Sequence, residues 1–267
     1  MTGSLDKSRA GRRPLRNAVL AAVMLLALAC AGTPALAQEA CEDFDDVAGA
    51  NPAAAAVWAE IDAAARAARV PPALLAAVAF AEGYDEATAR NWIQFRADGR
   101  PIVSFDCGIG MLQLTAADGY DARRLAADWR YNVRAGAAVL RAKWDASQAN
   151  APDGLERDER FAENWWAALC RYNGQGAAAT AYADRAMAFA TDPLGEAAVF
   201  TPPLRTLRTP SDVFPAFTPS HWYVVRDGEA ILATAEGDVV ERRAGFVPTA
   251  LDASLAGPAR PPAPRVG

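Results

Sequence analysis

Glu82 is the residue in this sequence whose type and position best suit acid–base chemistry. It follows the apolar segment PALLAAVAFA and precedes Gly83, and a helix through that segment places it on the same face as Val78 and Leu75. A carboxyl group in such surroundings has a raised pKa, because burial disfavours the charged form, so it can hold a proton near neutral pH and deliver it. The alternative is a glutamate at a frayed helix end, turned to solvent at Gly83.

A second segment, FDCGIGMLQLT at 105–115, fits neither a regular helix nor a regular strand. Gly108 and Gly110 allow the backbone to approach a ligand or a neighbouring helix closely. Gln113 offers a hydrogen-bond donor and an acceptor, which suits an amide or a hydroxyl group. Taken alone, the same residues are explained equally well by a tight packing corner.

A third segment, ALCRYNGQG at 168–176, ends a helix with an aromatic residue in a buried position. Tyr172 continues the apolar stripe of that helix, and its hydroxyl must find a partner if the ring lies inside. Asn173 and Gly174 are typical of helix C-termini. A plain helix cap explains the Asn-Gly pair but not the tyrosine.

These segments need a framework that brings them together, and the sequence predicts a mainly helical one. Apolar residues repeat at helical spacing in five stretches between 52 and 189, which predicts five helices around one core. Two apolar runs, 92–95 and 102–105, flank Asp98-Gly99 and predict a small β-hairpin directly before the glycine segment.

The composition changes after Thr191. Residues 191–219 are rich in proline and are predicted as a linker, and three short strands, 221–226, 229–235 and 238–243, predict a β-meander in a module at 220–250. A meander of this size is not stable alone, so we expect it to pack on the helical domain or to mediate a contact. The proline-rich tail, 251–267, is predicted to be disordered.

Residues 1–37 have the pattern of a secretory signal peptide. Basic residues precede an apolar run at 18–29, and Ala35-Leu36-Ala37 offers a cleavage site before Gln38; an uncleaved anchor is the alternative. Removing five of 27 basic and one of 32 acidic residues leaves 22 and 31, a net charge of −9. Nucleic acids and anionic membrane surfaces are poor partners for such a chain.

Taken together, the three segments resemble the catalytic domain of soluble lytic transglycosylases, relatives of goose-type lysozyme. Glu82 closes an apolar helix, Gly110-Met111-Leu112-Gln113 is similar to the family's Gly-Leu-Met-Gln, 132–137 (NVRAGA) is similar to its Asn-rich helix, and Tyr172-Asn173-Gly174 is similar to its Tyr-Asn-x-Gly. The resemblance covers roughly 51–189, about half of the chain. It implies a lysozyme-like helical domain, at 38–190, with the hairpin at its cleft.

The resemblance also implies roles for these residues. Glu82 matches the family's catalytic acid. Gln113 matches an amide that contacts the substrate, and Gly110 and Met111 belong to the same substrate-binding segment. Tyr172 and Asn173 match a pair that lines the cleft. The bare glycine backbone would then let a sugar chain and the catalytic helix approach each other.

Two departures from the family pattern stand out. Gly83 replaces the usual serine after the glutamate, so a hydroxyl contact to the substrate is lost. The 26 residues from Glu82 to Gly108 exceed the compact family spacing, and the predicted hairpin accounts for the extra length.

The function implied is cleavage of the β-1,4 bond between N-acetylmuramic acid and N-acetylglucosamine in peptidoglycan, with closure of a 1,6-anhydro ring and no metal or organic cofactor. A hydrolase of the same fold, in which Asp106, Asp85 or Glu86 orients a water, is one alternative. Another is a non-catalytic wall-binding module whose C-terminal strands contact a cell-wall protein. The signal peptide places the protein in the periplasm or outside the cell, with no membrane span after cleavage.

Three cysteines remain after signal cleavage in a compartment where disulfides persist. If the glycine segment and the Tyr172 segment line one cleft, as the resemblance implies, Cys107 and Cys170 run close together and are expected to be bonded. Cys41 is then the odd thiol. The alternatives are a bond from Cys41 to either partner, or three reduced cysteines.

Overall fold

The computed structural model describes residues 41–85, 89–174, 176–204 and 206–251. The predicted signal peptide, and the predicted tail beyond residue 251, lie outside them. Seven α-helices lie within the described residues: α1 (Ala54–Ala68), α2 (Pro72–Gly83), α3 (Ala122–Ala127), α4 (Trp129–Gln148), α5 (Trp166–Tyr172), α6 (Ala177–Thr191) and α7 (Pro210–Val213). These residues also form three 3-10 turns, at Ala116–Asp118, Ala162–Trp165 and Gly195–Val199, and three strands, β1 (Trp222–Arg226), β2 (Gly228–Ala233) and β3 (Val239–Phe246).

The turn between α1 and α2 is built by a left-handed residue followed by prolines. Arg69 caps α1 with a φ of 57°, and its N–H donates to the last carbonyl groups of the helix. Pro72 opens α2, where the missing N–H costs no helical hydrogen bond. Every residue at 74–80 is apolar and buried, so α2 runs through the centre of the helical core.

The five helices predicted from apolar spacing are confirmed as α1, α2, α4, α5 and α6, and the structure adds the short helix α3, which was not predicted. α2 packs against α1 and α6, α4 against α1, and α5 against α4 and α6. One boundary differs, because the stripe that begins at Phe161 starts as the 3-10 turn Ala162–Trp165. There the side chains of Glu163 and Asn164 form hydrogen bonds with the backbone of Thr249 and Val225 in the C-terminal region. These contacts accompany the departure of this stretch from a regular α-helix.

The predicted hairpin forms a tight loop with isolated bridges instead of two regular strands. Phe95 pairs with Pro101, and the N–H of Ile102 donates to the carbonyl oxygen of Gln94 at 3.0 Å. Two features stop a longer ladder. Pro101 has no N–H to donate, and the side-chain oxygen of Asn51 accepts the N–H groups of Gln94 and Phe95.

The three predicted C-terminal strands form one antiparallel sheet in the order β1-β2-β3. One face of β1 and β2 is buried against Phe214 and the other against Leu155. The amide side chain of Asn164 donates to the carbonyl oxygen of Val225 and accepts its N–H. The outer edge of β1 is therefore bound to the 3-10 turn that precedes α5.

Residues 191–219 contain both the 3-10 turn Gly195–Val199 and α7. Leu204, Leu207 and Phe217 from this stretch pack against the helical core. No helix in the described part of the chain has the length and apolar character needed to cross a membrane.

Candidate active site

Glu82 occupies the last turn of α2, one residue before the helix ends at Gly83, so it is not part of a frayed end. Its carboxyl group lies near Tyr182 and Arg185 of α6 and near Asp106, at the start of the glycine segment (105–115). Burial raises the pKa of Glu82 to about 7, the Tyr182 hydroxyl and the charge of Arg185 lower it, and the charge of Asp106 raises it. The negative end of the helix dipole also disfavours an anion at this position. The carboxyl group can therefore both donate and accept a proton near neutral pH.

Two tyrosines stand beside this carboxyl group with parallel rings. The ring centroids of Tyr172 and Tyr182 are 6.4 Å apart, and the ring planes differ by 6°. The hydroxyl of Tyr172 donates to the carbonyl oxygen of Leu112 at 2.8 Å. The buried hydroxyl of Tyr182 has no hydrogen-bond partner of regular geometry among the described residues. Burial and the nearby Glu82 hold the pKa of both tyrosines well above the usual range, so both hydroxyls keep their protons.

The glycine segment is held by two fully buried amide side chains. Gln94 accepts the N–H of Met111 at 2.9 Å, and Asn132 of α4 accepts the N–H of Leu112 at 2.9 Å. Their amino groups donate to backbone carbonyl groups, including that of Leu125. Since both amides are fully satisfied, they fix the path of the segment next to α2.

The glycines of this region are required by these close contacts. A Cβ atom on Gly110, whose φ is 72°, would lie 2.5 Å from side-chain atoms of both Asn132 and Gln94. A Cβ atom on Gly83 would lie 3.2 Å from the backbone nitrogen of Ile93. We expected the bare backbone to allow close approach of a sugar chain and of the catalytic helix. The structure shows close approach of buried amides and of backbone next to that helix, and the sugar contact stays a prediction.

The other predicted binding residues differ in what they expose. Met111 is fully buried in the core, so it has no side-chain surface for a ligand. Gln113 is partly buried with a φ of 49°, and its amino group donates to the carbonyl oxygen of Gly110 at 2.6 Å. Asn173 is exposed just after α5. Of these three residues, Gln113 and Asn173 therefore present side-chain surface to a ligand, and Met111 does not.

The predicted disulfide between Cys107 and Cys170 is wrong. Cys107 is bonded to Cys41, the pairing left open as an alternative, and Cys170 is a free, partly buried thiol. Tyr172 does approach the glycine segment through Leu112, but residues two apart on a helix do not share a face. Cys170 therefore points elsewhere, towards Asp184 and Arg157, and burial raises the pKa of its thiol to about 12.

Sequence patterns assigned no chemical role to Gln94, Tyr182 or Arg185. Gln94 interrupts the apolar run WIQF, and a polar residue inside a predicted buried strand was the available signal. Tyr182 was counted only as a member of an apolar helix stripe. The spacing of Tyr182 and Arg185, three residues apart, places them on one helix face, but nothing in the sequence shows that this face meets Glu82.

A cavity of about 620 Å³ lies beside the hairpin, lined by residues that include Asn51, Arg90, Phe95 and Ile102, and not by Glu82. It is therefore separate from the carboxyl group. Across the described residues, no three or more His, Cys, Asp or Glu side chains come together in a way that would hold a metal ion.

Comparisons of the chain with protein-family models, with curated proteins and with solved structures found no match.

Proposed function

We propose that this protein is a lytic transglycosylase that cleaves the β-1,4 bond between N-acetylmuramic acid and N-acetylglucosamine in peptidoglycan. The observation that carries the proposal is the position of Glu82 in the last turn of α2 beside Tyr172 and Tyr182, where burial raises its pKa to about 7 and both tyrosines keep their protons. A glycosidase that works with one carboxyl group needs that group to act first as an acid and then as a base. A pKa near 7 suits both steps.

In the first step, Glu82 donates its proton to the glycosidic oxygen while the bond from that oxygen to C1 of the muramic residue breaks. The acetamido oxygen of the same sugar forms a bond to C1 in its place. In the second step, the Glu82 carboxylate removes the proton from the C6 hydroxyl, O6 bonds to C1, and the acetamido oxygen leaves. The products are a free glycan end and a 1,6-anhydromuramic end, and Glu82 is protonated again.

The neighbours of Glu82 have matching roles in this scheme. Tyr182 and Arg185 favour the carboxylate over the acid, so they assist release of the proton in the first step and stabilise the carboxylate that remains until the second. Tyr172 connects the end of α5 to the glycine segment through Leu112, which fixes one side of the site.

A hydrolase is the second candidate, and Asp106 is the observation that favours it. Its charge raises the pKa of Glu82, and its carboxylate accepts a hydrogen bond from the Ser104 hydroxyl. An exposed carboxylate there could orient a water molecule against C1. Of the other two acidic residues considered from sequence, Asp85 pairs with Arg90 through backbone hydrogen bonds, and Glu86 lies outside the described residues.

The proposal includes a lysozyme-like helical domain and export from the cytoplasm. Its support is the sequence resemblance, the helical core around α2, and the Cys41–Cys107 disulfide, a bond typical of oxidising compartments.

Mass spectrometry of the products released from purified peptidoglycan tests the proposal. Transglycosylation gives muropeptides one water lighter than hydrolysis, and borohydride does not reduce their anhydro ends. Reducible ends that disappear in Asp106→Asn would support the hydrolase instead. A folded protein that releases neither product is not an enzyme acting on this polymer.

A further inference from the structure

Arg185 is an exposed cation whose charge lowers the pKa of Glu82. It stands one helical turn after Tyr182, with its guanidinium carbon 5.6 Å from the centroid of that ring. Within the described residues it forms no ion pair, while other surface arginines do, as in the pairs Arg66–Asp62, Arg123–Asp46 and Arg134–Glu60.

The acidic groups near Arg185 are directed elsewhere. The carboxylate of its neighbour Asp184 accepts the indole N–H of Trp166 at 2.7 Å. Asp106 lies at the start of the glycine segment, where its carboxylate accepts a hydrogen bond from the Ser104 hydroxyl. Glu82 carries a proton for part of the time near neutral pH. The guanidinium group is therefore available to an anion brought by a ligand, and it matches the geometry of a carboxylate.

We propose that Arg185 binds the lactyl carboxylate of a muramic acid residue from which the stem peptide has been removed, so that the preferred substrate is peptide-free glycan. This inference rests on the proposed function. The lactyl group is attached to the same sugar ring whose C1 reacts beside Glu82. It is a carboxylate only where no peptide is attached, because the peptide bond converts it to a neutral amide. Stem-peptide carboxylates lie further from C1 on a flexible chain.

The test compares three glycans at one pH: peptide-free strands, the same strands with the lactyl carboxylate converted to a primary amide, and strands that carry stem peptides. For each, kcat/KM is measured with the full exported protein, with Arg185→Gln, with Arg185→Lys and with Arg66→Gln. Arg66 lies on the exposed side of α1, so the last variant removes one surface charge away from the site. Because the two peptide-free glycans are compared at the same pH, a change in the pKa of Glu82 cancels in their ratio.

The wild-type protein should prefer the carboxylate over the primary amide by roughly three- to tenfold, as for a solvent-accessible charge-assisted contact. Arg185→Gln should lose that preference, Arg185→Lys should keep part of it, and Arg66→Gln should keep all of it. The assignment would be overturned if Arg185→Gln kept the wild-type preference for the carboxylate over the primary amide. It would also be overturned if the variant lost kcat/KM only on strands that carry stem peptides. Cleavage of all three glycans without preference defeats this inference alone, whereas a wild-type protein that cleaves none defeats the proposed function.

Discussion

The hydroxyl of Tyr172 donates a 2.8 Å hydrogen bond to the carbonyl oxygen of Leu112. This bond joins the end of α5 to the glycine segment, 60 residues earlier in the chain. The ring of Tyr182 lies parallel to that of Tyr172. The hydrogen bond from Tyr172 to Leu112 therefore also helps to position Tyr182, whose hydroxyl faces Glu82.

Replacing Tyr172 with phenylalanine should destabilise the protein by about 1–3 kcal/mol, because a buried carbonyl group loses its donor. Urea unfolding followed by circular dichroism measures the change. Tyr131→Phe, on a ring that packs edge-on against Tyr120, is the matched control and should change stability less. Equal stability of Tyr172→Phe and wild type would show that the hydrogen bond to Leu112 contributes nothing.

Glu82 should make stability depend on pH. Its pKa is raised from 4.5 in the unfolded chain to about 7 in the folded protein, so the folded state binds more protons between these values and stability falls as pH rises through this window. Glu82→Gln should therefore be more stable than wild type at pH 8, by at most about 3 kcal/mol, and no more stable below pH 4. Denaturant titrations of both proteins at the two pH values measure this. A difference that is the same at both pH values would contradict the raised pKa.

Gly110→Ala should be much more destabilising than Gly119→Ala. Both glycines have a positive φ, 72° and 83°, but a Cβ atom on Gly110 collides with Asn132 and Gln94, whereas one on Gly119 meets nothing within 4 Å. Backbone strain alone costs about 1–2 kcal/mol, and the collision adds roughly 1–3 kcal/mol through displaced amides. Thermal unfolding of the two variants separates these costs, and equal melting temperatures would show that the amides move aside freely.

Non-reducing peptide mapping should find Cys41 linked to Cys107 and Cys170 free. The bond closes a loop with a sequence separation of 66, so reduction should cost on the order of 4 kcal/mol of stability. Cys170→Ser should leave both the linked peptide pair and the effect of reductant unchanged. A peptide pair that contains Cys170 would refute the assignment.

Much of the framework was predictable from the sequence, because five of the helices follow from a local apolar period and each C-terminal strand from alternation next to turn residues. The short helices α3 and α7 were not predicted. The position of the hairpin was predicted correctly, but its two regular strands were not found. The hydrogen bonds that compete with a regular ladder come from Asn51, far away in the sequence. The partners of Glu82 and of Cys107 were missed for the same reason. Tyr182 and Cys41 are brought to them by tertiary packing, which leaves no local pattern in the chain.

Glu82 is the acid and base on which the proposed reaction depends most directly, and the turnover of isolated peptidoglycan by Glu82→Gln tests that role. Glutamine keeps the shape of the side chain but cannot transfer the proton, so turnover should fall by roughly 10²–10⁴-fold. Binding to the polymer and the circular dichroism spectrum should remain those of wild type. Asp106→Asn is the matched control, and under the transglycosylase mechanism it should retain most of the activity and the same anhydro products. A folded Glu82→Gln protein that still releases anhydro-muropeptides at the wild-type rate would contradict the account.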